Sequence, residues 1–385
     1  MLDIPKGQTL LLRARRVAAM SPDQAVLHDG AVLVRNGRIA AAGPWPHLKG
    51  QTGAVRDMGE VTLGPGLINA HTHLEFSHLG LPPETGQGYT AWVRWLLAQP
   101  VDGLTGDALA RAAGQLAACG TAAVGDIGSR NPALVARAME AAAIELVTQY
   151  EYFGFTPRTD IPQIAGVAPE RLALAGHALY STHPDTLRMA KAWDTARGRC
   201  FSIHLAEHEG EVELLADGTG AFAQLLRQRV LPPDYAPPGL SPVAWASALG
   251  LLDNRTLAVH CVKASRRDIA LLKHSGASVC LCPRSNAVIG VGRAPAGAIL
   301  EAGIPCCLGT DSLASVADLD LWNELRALLQ MLDAPLGLEA ALALVTRNPA
   351  AVLGLAGLAG LGSLAPGASA RFSTLQPDIE ALLDD

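Results

Sequence analysis

Along the first sixty residues, apolar and polar positions alternate in short runs. AVLVRNGRIAAAG, residues 31–43, is the clearest, and Asn36-Gly37 between its two apolar runs predicts a tight hairpin turn. From residue 61 the texture changes to apolar, β-branched runs alternating with Ala/Leu-rich helical stretches, the pattern of βα units around a parallel sheet. The strand candidates are VTLGPGLINAHTH, GTAAVGDIG, IELVTQYEYFGF, RLALAGHALYS, CFSIHLAE, TLAVHCV, ASVCLCPRSN and IPCCLGTDS. Eight units over about 290 residues match the size and repeat number of a (β/α)8 barrel, with a doubly wound open sheet as the alternative. LGSLAPGASARFSTL, 361–375, returns to strand-like alternation and is expected to pair with the N-terminal module. The predicted architecture is an α/β chain: a (β/α)8 TIM barrel over 63–354, and a small β-sandwich domain built from both chain termini, 1–62 and 355–385. The Pro-rich run LPPDYAPPGLSP, 231–242, reads as a long loop and a candidate cover for a site.

Composition narrows the function. The chain has 385 residues, 49% of them hydrophobic, enough for a sizeable core, and a net charge of −6 with no basic cluster denser than RARR at 13–16. Nucleic acid is therefore not an expected partner, and a small-molecule substrate suits the balance better. The N-terminal MLDIPKGQTLLLRARR lacks the apolar core of a secretory signal. The most apolar stretch, 350–367, is broken by glycines and Pro366, so no membrane association is expected. Seven cysteines, mostly inside apolar runs and without a CxxC pattern, point to a reducing cytoplasm. A homodimer stays open as an assembly.

Five of the eleven histidines, His71, His73, His177, His204 and His260, fall at or near predicted strand ends, which in a barrel converge on one face. His71 and His73 stand at i and i+2 on a strand, so both point to one side at roughly 6–7 Å, close enough to share an ion. The alternative is a pair of core histidines. SIHLAEHEGE, 202–211, contains His204-x-x-Glu207-His208, which also matches the HxxEH motif of inverzincin peptidases. That motif needs a helix, whereas CFSI before His204 reads as a strand. The preferred reading makes His204 a third ligand, turns Glu207 toward the site and leaves His208 and Glu209 as solvated surface residues. Asp311 in LGTDS ends strand eight; an Asp after Gly-Thr is more commonly a helix N-cap, and its place in the eighth unit is what promotes it to a ligand. A shell of His71, His73, His204 and Asp311 suits one divalent ion, zinc or equally ferrous iron by ligand type.

Taken together, PGLINAHTH, HLAEH, VHC, CPRSN and LGTDS resemble, in order and spacing, the metal-dependent amidohydrolase superfamily, in its branch of cytosine, guanine and adenosine-type deaminases and chlorohydrolases. GSLAPGASA resembles its C-terminal closing motif, except that Arg371 stands where an aspartate is usual. The resemblance spans nearly the whole chain. It implies a single metal, because the strand-four run RLALAGHALYSTHP has no lysine for the bridging carboxylate of two-metal members. It also implies a metal-activated water that Asp311 and His260 position and deprotonate. Glu207 protonates a ring nitrogen while the adjacent amino-bearing carbon is attacked, and ammonia leaves. For His260, a fifth-ligand or purely structural role stays open.

By the same resemblance His177 occupies a substrate-contacting position, with Tyr180, Arg284 and Asn286 as polar partners; Arg284 and Asn286 alternatively shape the strand-seven turn. HTHLEFS, GYTAWVRWL and HALYSTHP resemble most closely the aminodeoxyfutalosine deaminases of the alternative menaquinone pathway, which act on a 6-aminopurine nucleoside bearing a carboxybenzoyl group. That implies Glu75 on the ribose or purine, and Phe76, Trp92 and Trp95 around the apolar part, although the tryptophans are equally ordinary packing residues. Arg94, Arg130, Lys263 and Arg284 are candidate cations for a substrate carboxylate. Deamination of adenosylhomocysteine or methylthioadenosine, and guanine or triazine chemistry, are the alternatives.

Overall fold

A computed structural model describes residues 7–21 and 24–383. Met1–Lys6, on which part of the N-terminal reading rests, lies outside them. In chain order the strands are β1 (Thr9–Ser21), β2 (Gln24–Arg35), β3 (Arg38–Pro44), β4 (Val55–Asp57), β5 (Thr62–Pro65), β6 (Leu67–Thr72), β7 (Thr121–Gly128), β8 (Glu145–Tyr152), β9 (Leu172–Ala178), β10 (Phe201–Leu205), β11 (Thr256–His260), β12 (Ser278–Leu281), β13 (Cys306–Leu308) and β14 (Phe372–Thr374). Strands β6 to β13 form one eight-stranded sheet in sequential order, parallel throughout and interleaved with helices. Six of the eight, β6, β7 and β10 to β13, have every residue buried, as strands covered on both faces must.

The sheet curls until its first and last strands meet. The Asp311 amide donates to the His71 carbonyl at 3.0 Å, and the buried Asn69 amide group accepts from Thr310 N (3.1 Å) and donates to Thr310 Oγ1 (2.8 Å). The closure therefore runs through the HTH and LGTDS segments themselves. The molecule is a (β/α)8 barrel with a separate β-sheet domain.

That second domain is one six-stranded sheet, ordered β14-β5-β1-β2-β3 with β4 also on β1. The second layer expected of a sandwich is supplied differently. One face packs on Leu364, Ala368 and Ala370 from the C-terminal segment, and the other on Trp45 and Leu48 of a short helix. Both chain ends build it, because β14 pairs antiparallel with β5. Asn36 and Gly37 have φ of 52° and 72° in the β2–β3 turn, the left-handed pair that hairpin turns favour. VTLGPGLINAHTH, read as one strand, is two, because the chain passes from the small sheet to the barrel at Gly66. A Cβ there would lie 2.6 Å from Ala122 Cβ, so only glycine lets the strands approach at this junction.

No helix among the described residues is long and apolar enough to cross a membrane. The Pro-rich loop packs Tyr235 against Phe155, just past the end of β8, and none of residues 231–242 borders the site cavity. The residues that reach over the site come instead from just before it, Phe222, Leu225, Leu226, Arg229 and Val230.

Candidate active site

His71 is the last residue but one of β6, at the closed seam, and His73 follows as the chain leaves the strand. Asp126 on β7 holds this corner, since its Oδ1 accepts from Thr72 Oγ1 (2.9 Å) and Leu74 N (2.8 Å) on either side of His73. His204 comes from β10. Its Nδ1 lies 2.9 Å from the His177 carbonyl, which can only accept, so Nδ1 carries the proton and Nε2 turns a lone pair inward.

The Nε2 atoms of His71 and of His73 each lie 3.3 Å from His204 Nε2. Two nitrogens ~2.0–2.1 Å from a shared tetrahedral ion stand about 3.3–3.4 Å apart, so the spacing suits a bound cation. Burial pushes His73 down to about 4 and His71 and His204 well below the usual imidazole range, which keeps all three neutral and able to ligate. Asp311 adds an anion: its Oδ1 is 3.9 Å from His71 Nε2 and 3.7 Å from His73 Nε2, while Oδ2 accepts from Ser285 Oγ (2.6 Å) and Ser315 Oγ (3.3 Å).

Around this shell stand Glu207 and His260. Glu207 Oε1 lies 3.7 Å from His260 Nε2. Burial, with the like charges of Asp311 and Glu211 adding to it, raises the Glu207 carboxyl well above the usual range, so it tends to hold its proton. Burial lowers His260 to about 4, and its Nδ1 sits 3.0 Å from Asn286 Oδ1, leaving Nε2 as an acceptor toward Glu207. His260 and Asp311 are non-glycine residues at positive φ, 74° and 64°. Strain of that kind gathers where geometry is held for chemistry.

The shell forms the floor of a cavity of about 600 Å³. His177, Tyr180 and Glu75 line it, as sequence reasoning places them. His177 Nδ1 is 2.6 Å from Ser181 Oγ, and the Tyr180 hydroxyl is 2.8 Å from that of Tyr89. Glu75 Oε2 accepts from the backbone amides of Ser129 (3.1 Å) and Arg130 (2.9 Å).

Arg284 and Asn286 do not border the cavity. The Arg284 guanidinium is committed to Asp318 at 2.8 and 2.9 Å and faces Glu324 at 3.5 Å, and Asn286 sits behind His260 as its hydrogen-bond partner. His208, expected in solvent, is 3% exposed, because its ring stacks on Tyr89 with centroids 3.7 Å apart and packs against Phe222. It also caps the helix Glu209–Ala216 rather than lying on one helix with His204, so the HxxEH geometry is absent. Phe76 and Trp92 face the cavity and Trp95 does not. Of the four candidate cations only Arg130 borders it, joined by Arg229.

Sequence reasoning missed Glu151, at the end of β8, which lines the cavity with Oε1 buried and unpartnered, 3.9 Å from His204 Nδ1. The strand-end rule that found the histidines would have found it in QYEYF. It also missed Asp126 and Glu211, whose partners appear only once strands and turns are assembled.

Comparison with known proteins places this geometry. The Amidohydrolase family model matches residues 62–385. The chain belongs to the amidohydrolase family. It is accordingly a hydrolase acting on C–N bonds, in a family that depends on metal, and the His-rich cluster above is where a metal fits. This amidohydrolase is 31% identical over 340 residues to a 5-methylthioadenosine/S-adenosylhomocysteine deaminase of Nitratidesulfovibrio vulgaris strain Hildenborough, covering 82% of this chain and 71% of that one. It is 29% identical over 326 residues to an aminodeoxyfutalosine deaminase of Deinococcus radiodurans, covering 78% and 76%. Its fold superimposes with a TM-score of 0.81 on an aminofutalosine deaminase of Helicobacter pylori solved with methylthio-coformycin, at 23% identity over 97% of this chain and 94% of that one.

Proposed function

We propose that the chain is a hydrolytic deaminase of a 6-aminopurine nucleoside. The observation that carries the reading is the meeting of Glu207, His260 and Asp311 with three inward-facing imidazoles at the floor of a cavity large enough for a nucleoside. One divalent ion held by His71, His73, His204 and Asp311, zinc first and ferrous iron as the alternative, would lower the pKa of water from 15.7 toward ~7 and supply hydroxide at neutral pH. The protein's own groups do the rest. Asp311 and the neutral His260 orient the water and take up its proton. Glu207, protonated, donates to the ring nitrogen beside the amino-bearing carbon. A C–O bond forms, the C–N bond breaks, and the amino group leaves as ammonia carrying the transferred proton.

Glu75 and Glu151 support a nucleoside over a free base, since two carboxyls bordering the cavity can each accept from a ribose hydroxyl. His177 and Tyr180 are assigned to the base and sugar between them and the floor. We put 6-amino-6-deoxyfutalosine, converted to futalosine in menaquinone biosynthesis, as first substrate; Arg130 and Arg229 are the cavity cations for its carboxylate. Methylthioadenosine or adenosylhomocysteine is the second reading, favoured by the 31% identity to a deaminase of that name. A cytoplasmic setting is supported by seven unpaired cysteines.

The test is ammonia release across aminodeoxyfutalosine, methylthioadenosine, adenosylhomocysteine, adenosine and guanine, comparing wild type with Glu207→Gln. Turnover of a 6-aminopurine nucleoside, reduced on the order of 10²-fold or more by the substitution, is expected. Turnover of guanine alone would overturn the substrate class, and an unimpaired Glu207→Gln would overturn the role of that residue.

A further inference from the structure

The chain leaves β10 at Leu205 through an unusual turn. Ala206 takes φ of 51°, a left-handed conformation costly for a residue with a Cβ, and the Lys263 amide donates to its carbonyl at 2.7 Å. Glu207 follows, and then the helix Glu209–Ala216 begins, with His208 as N-cap accepting from Glu211 N at 3.1 Å. In an ordinary capping box the third helical residue returns its side chain to the N-cap amide. Glu211 occupies that third position but reaches further back. Its Oε2 accepts from the Glu207 amide at 2.8 Å.

Glu211 is completely buried, with Oε1 lacking any partner. A buried carboxyl half satisfied is a costly way to begin a helix, since burial lifts it to about 8 even against the backbone hydrogen bonding that lowers it. Its position is nevertheless rigid. A Cβ at Gly210 would lie 2.6 Å from Phe222 Cβ, so the first turn of this helix is pressed against the helix Gly220–Arg227. What the carboxyl secures is the strained turn that carries Glu207.

We propose that Glu211 is a positioning residue: by holding the Glu207 amide it fixes the turn that aims the Glu207 carboxyl at His260 and the cavity floor. The proposal rests on the reading of Glu207 as the proton carrier. Because its work is done through an oxygen acceptor, glutamine serves where alanine fails.

The experiment uses the metal-loaded enzyme and the best substrate of the panel above, with rates normalised to bound metal. Glu211→Ala is expected to lose kcat on the order of 10²-fold, the cost of a misplaced catalytic group, with KM within a few-fold and metal stoichiometry unchanged. Glu211→Gln is expected to recover kcat to within several-fold of wild type. If Glu211→Ala does not fold, Glu211→Met, close in volume and without an oxygen, takes its place. A kcat near wild type in the variant lacking the acceptor overturns the proposal, and so does equal loss in that variant and in Glu211→Gln. Glu207→Gln measured alongside separates the two ideas. If it is fully active, the role of Glu207 falls; if it is impaired while Glu211→Ala is not, only the positioning role falls.

Discussion

Replacing Asp126 by alanine tests whether the corner that carries His73 is held by hydrogen bonds or simply by packing. Asp126 is 3% exposed, and burial lifts its carboxyl to about 8, so near neutrality it is largely protonated, with Oδ1 free to accept from Thr72 and Leu74. Removing it affects the two donors unequally. The Thr72 hydroxyl has a second acceptor, the Gly125 carbonyl at 3.3 Å, whereas Asp126 is the sole partner of the Leu74 amide among the described residues. One buried amide is therefore orphaned, at a cost of about 1–3 kcal/mol. Since Leu74 adjoins His73, the loosened corner should also weaken metal binding by roughly 10–100-fold, as loss of an outer partner does. Asp126→Asn keeps the one oxygen, Oδ1, that accepts from both Thr72 and Leu74. It mimics the protonated acid and should cost less than about 1 kcal/mol, the worth of one ordinary hydrogen bond. Urea unfolding of the metal-free protein and chelator competition for the metal measure the two effects. Equal behaviour of the alanine and asparagine variants, or an alanine variant matching wild type in both assays, would refute the hydrogen-bond account.

Two further perturbations probe the barrel itself. At Gly309 an added Cβ would lie 2.6 Å from His71 Cβ and 2.8 Å from its carbonyl oxygen, so Gly309→Ala should wedge the seam between β6 and β13, cost about 1–3 kcal/mol and lower metal content; a variant purified with full metal and wild-type stability contradicts this. Asp194 accepts from Leu174 N with both oxygens at 3.1 Å, and burial lifts it to about 8 despite Lys191, Arg199 and Arg197 nearby. Its folded pKa thus exceeds an unfolded value near ~3.9. The resulting stability is fully present below about pH 4 and is lost as pH rises through 8. The drop in urea midpoint between pH 5 and pH 9 should be smaller in Asp194→Asn than in wild type, and equal drops would count against the assignment.

What could be read from the chain follows from where its information is local. The barrel strands announce themselves as buried apolar runs, and His71, His73, His204, His260 and Asp311 end such runs, so one rule about strand ends brings them together. The composite sheet was legible for a similar reason, because Asn36-Gly37 sets one hairpin and the 361–375 segment returns to alternation. His208 escaped because its burial depends on Tyr89 and Phe222, over a hundred residues before it and fourteen after it. Arg284 is attractive by charge, yet Asp318 and Glu324, 34 and 40 positions later, claim it. Asp126 and Glu211 look like unremarkable acids until the register of β7 and the turn after β10 show which amides they hold.

The same division bears on substrate choice. The floor of the cavity is made of strand-end residues whose chemistry leaves a signature. Its upper wall comes from two helices, Tyr89–Leu96 and Gly220–Arg227, which contribute Trp92, Val93, Leu96, Phe222, Leu225 and Leu226. Those are apolar residues at the i, i+3, i+4 spacing of any amphipathic helix, so their role against a ligand cannot be told from ordinary packing by pattern alone. The chain is near 30% identical to two relatives named for different nucleosides, so overall likeness does not choose between them. Exchanging wall residues such as Leu225 and Leu226 is therefore the direct route to separating substrates. Exchanging floor residues should remove the reaction for all of them.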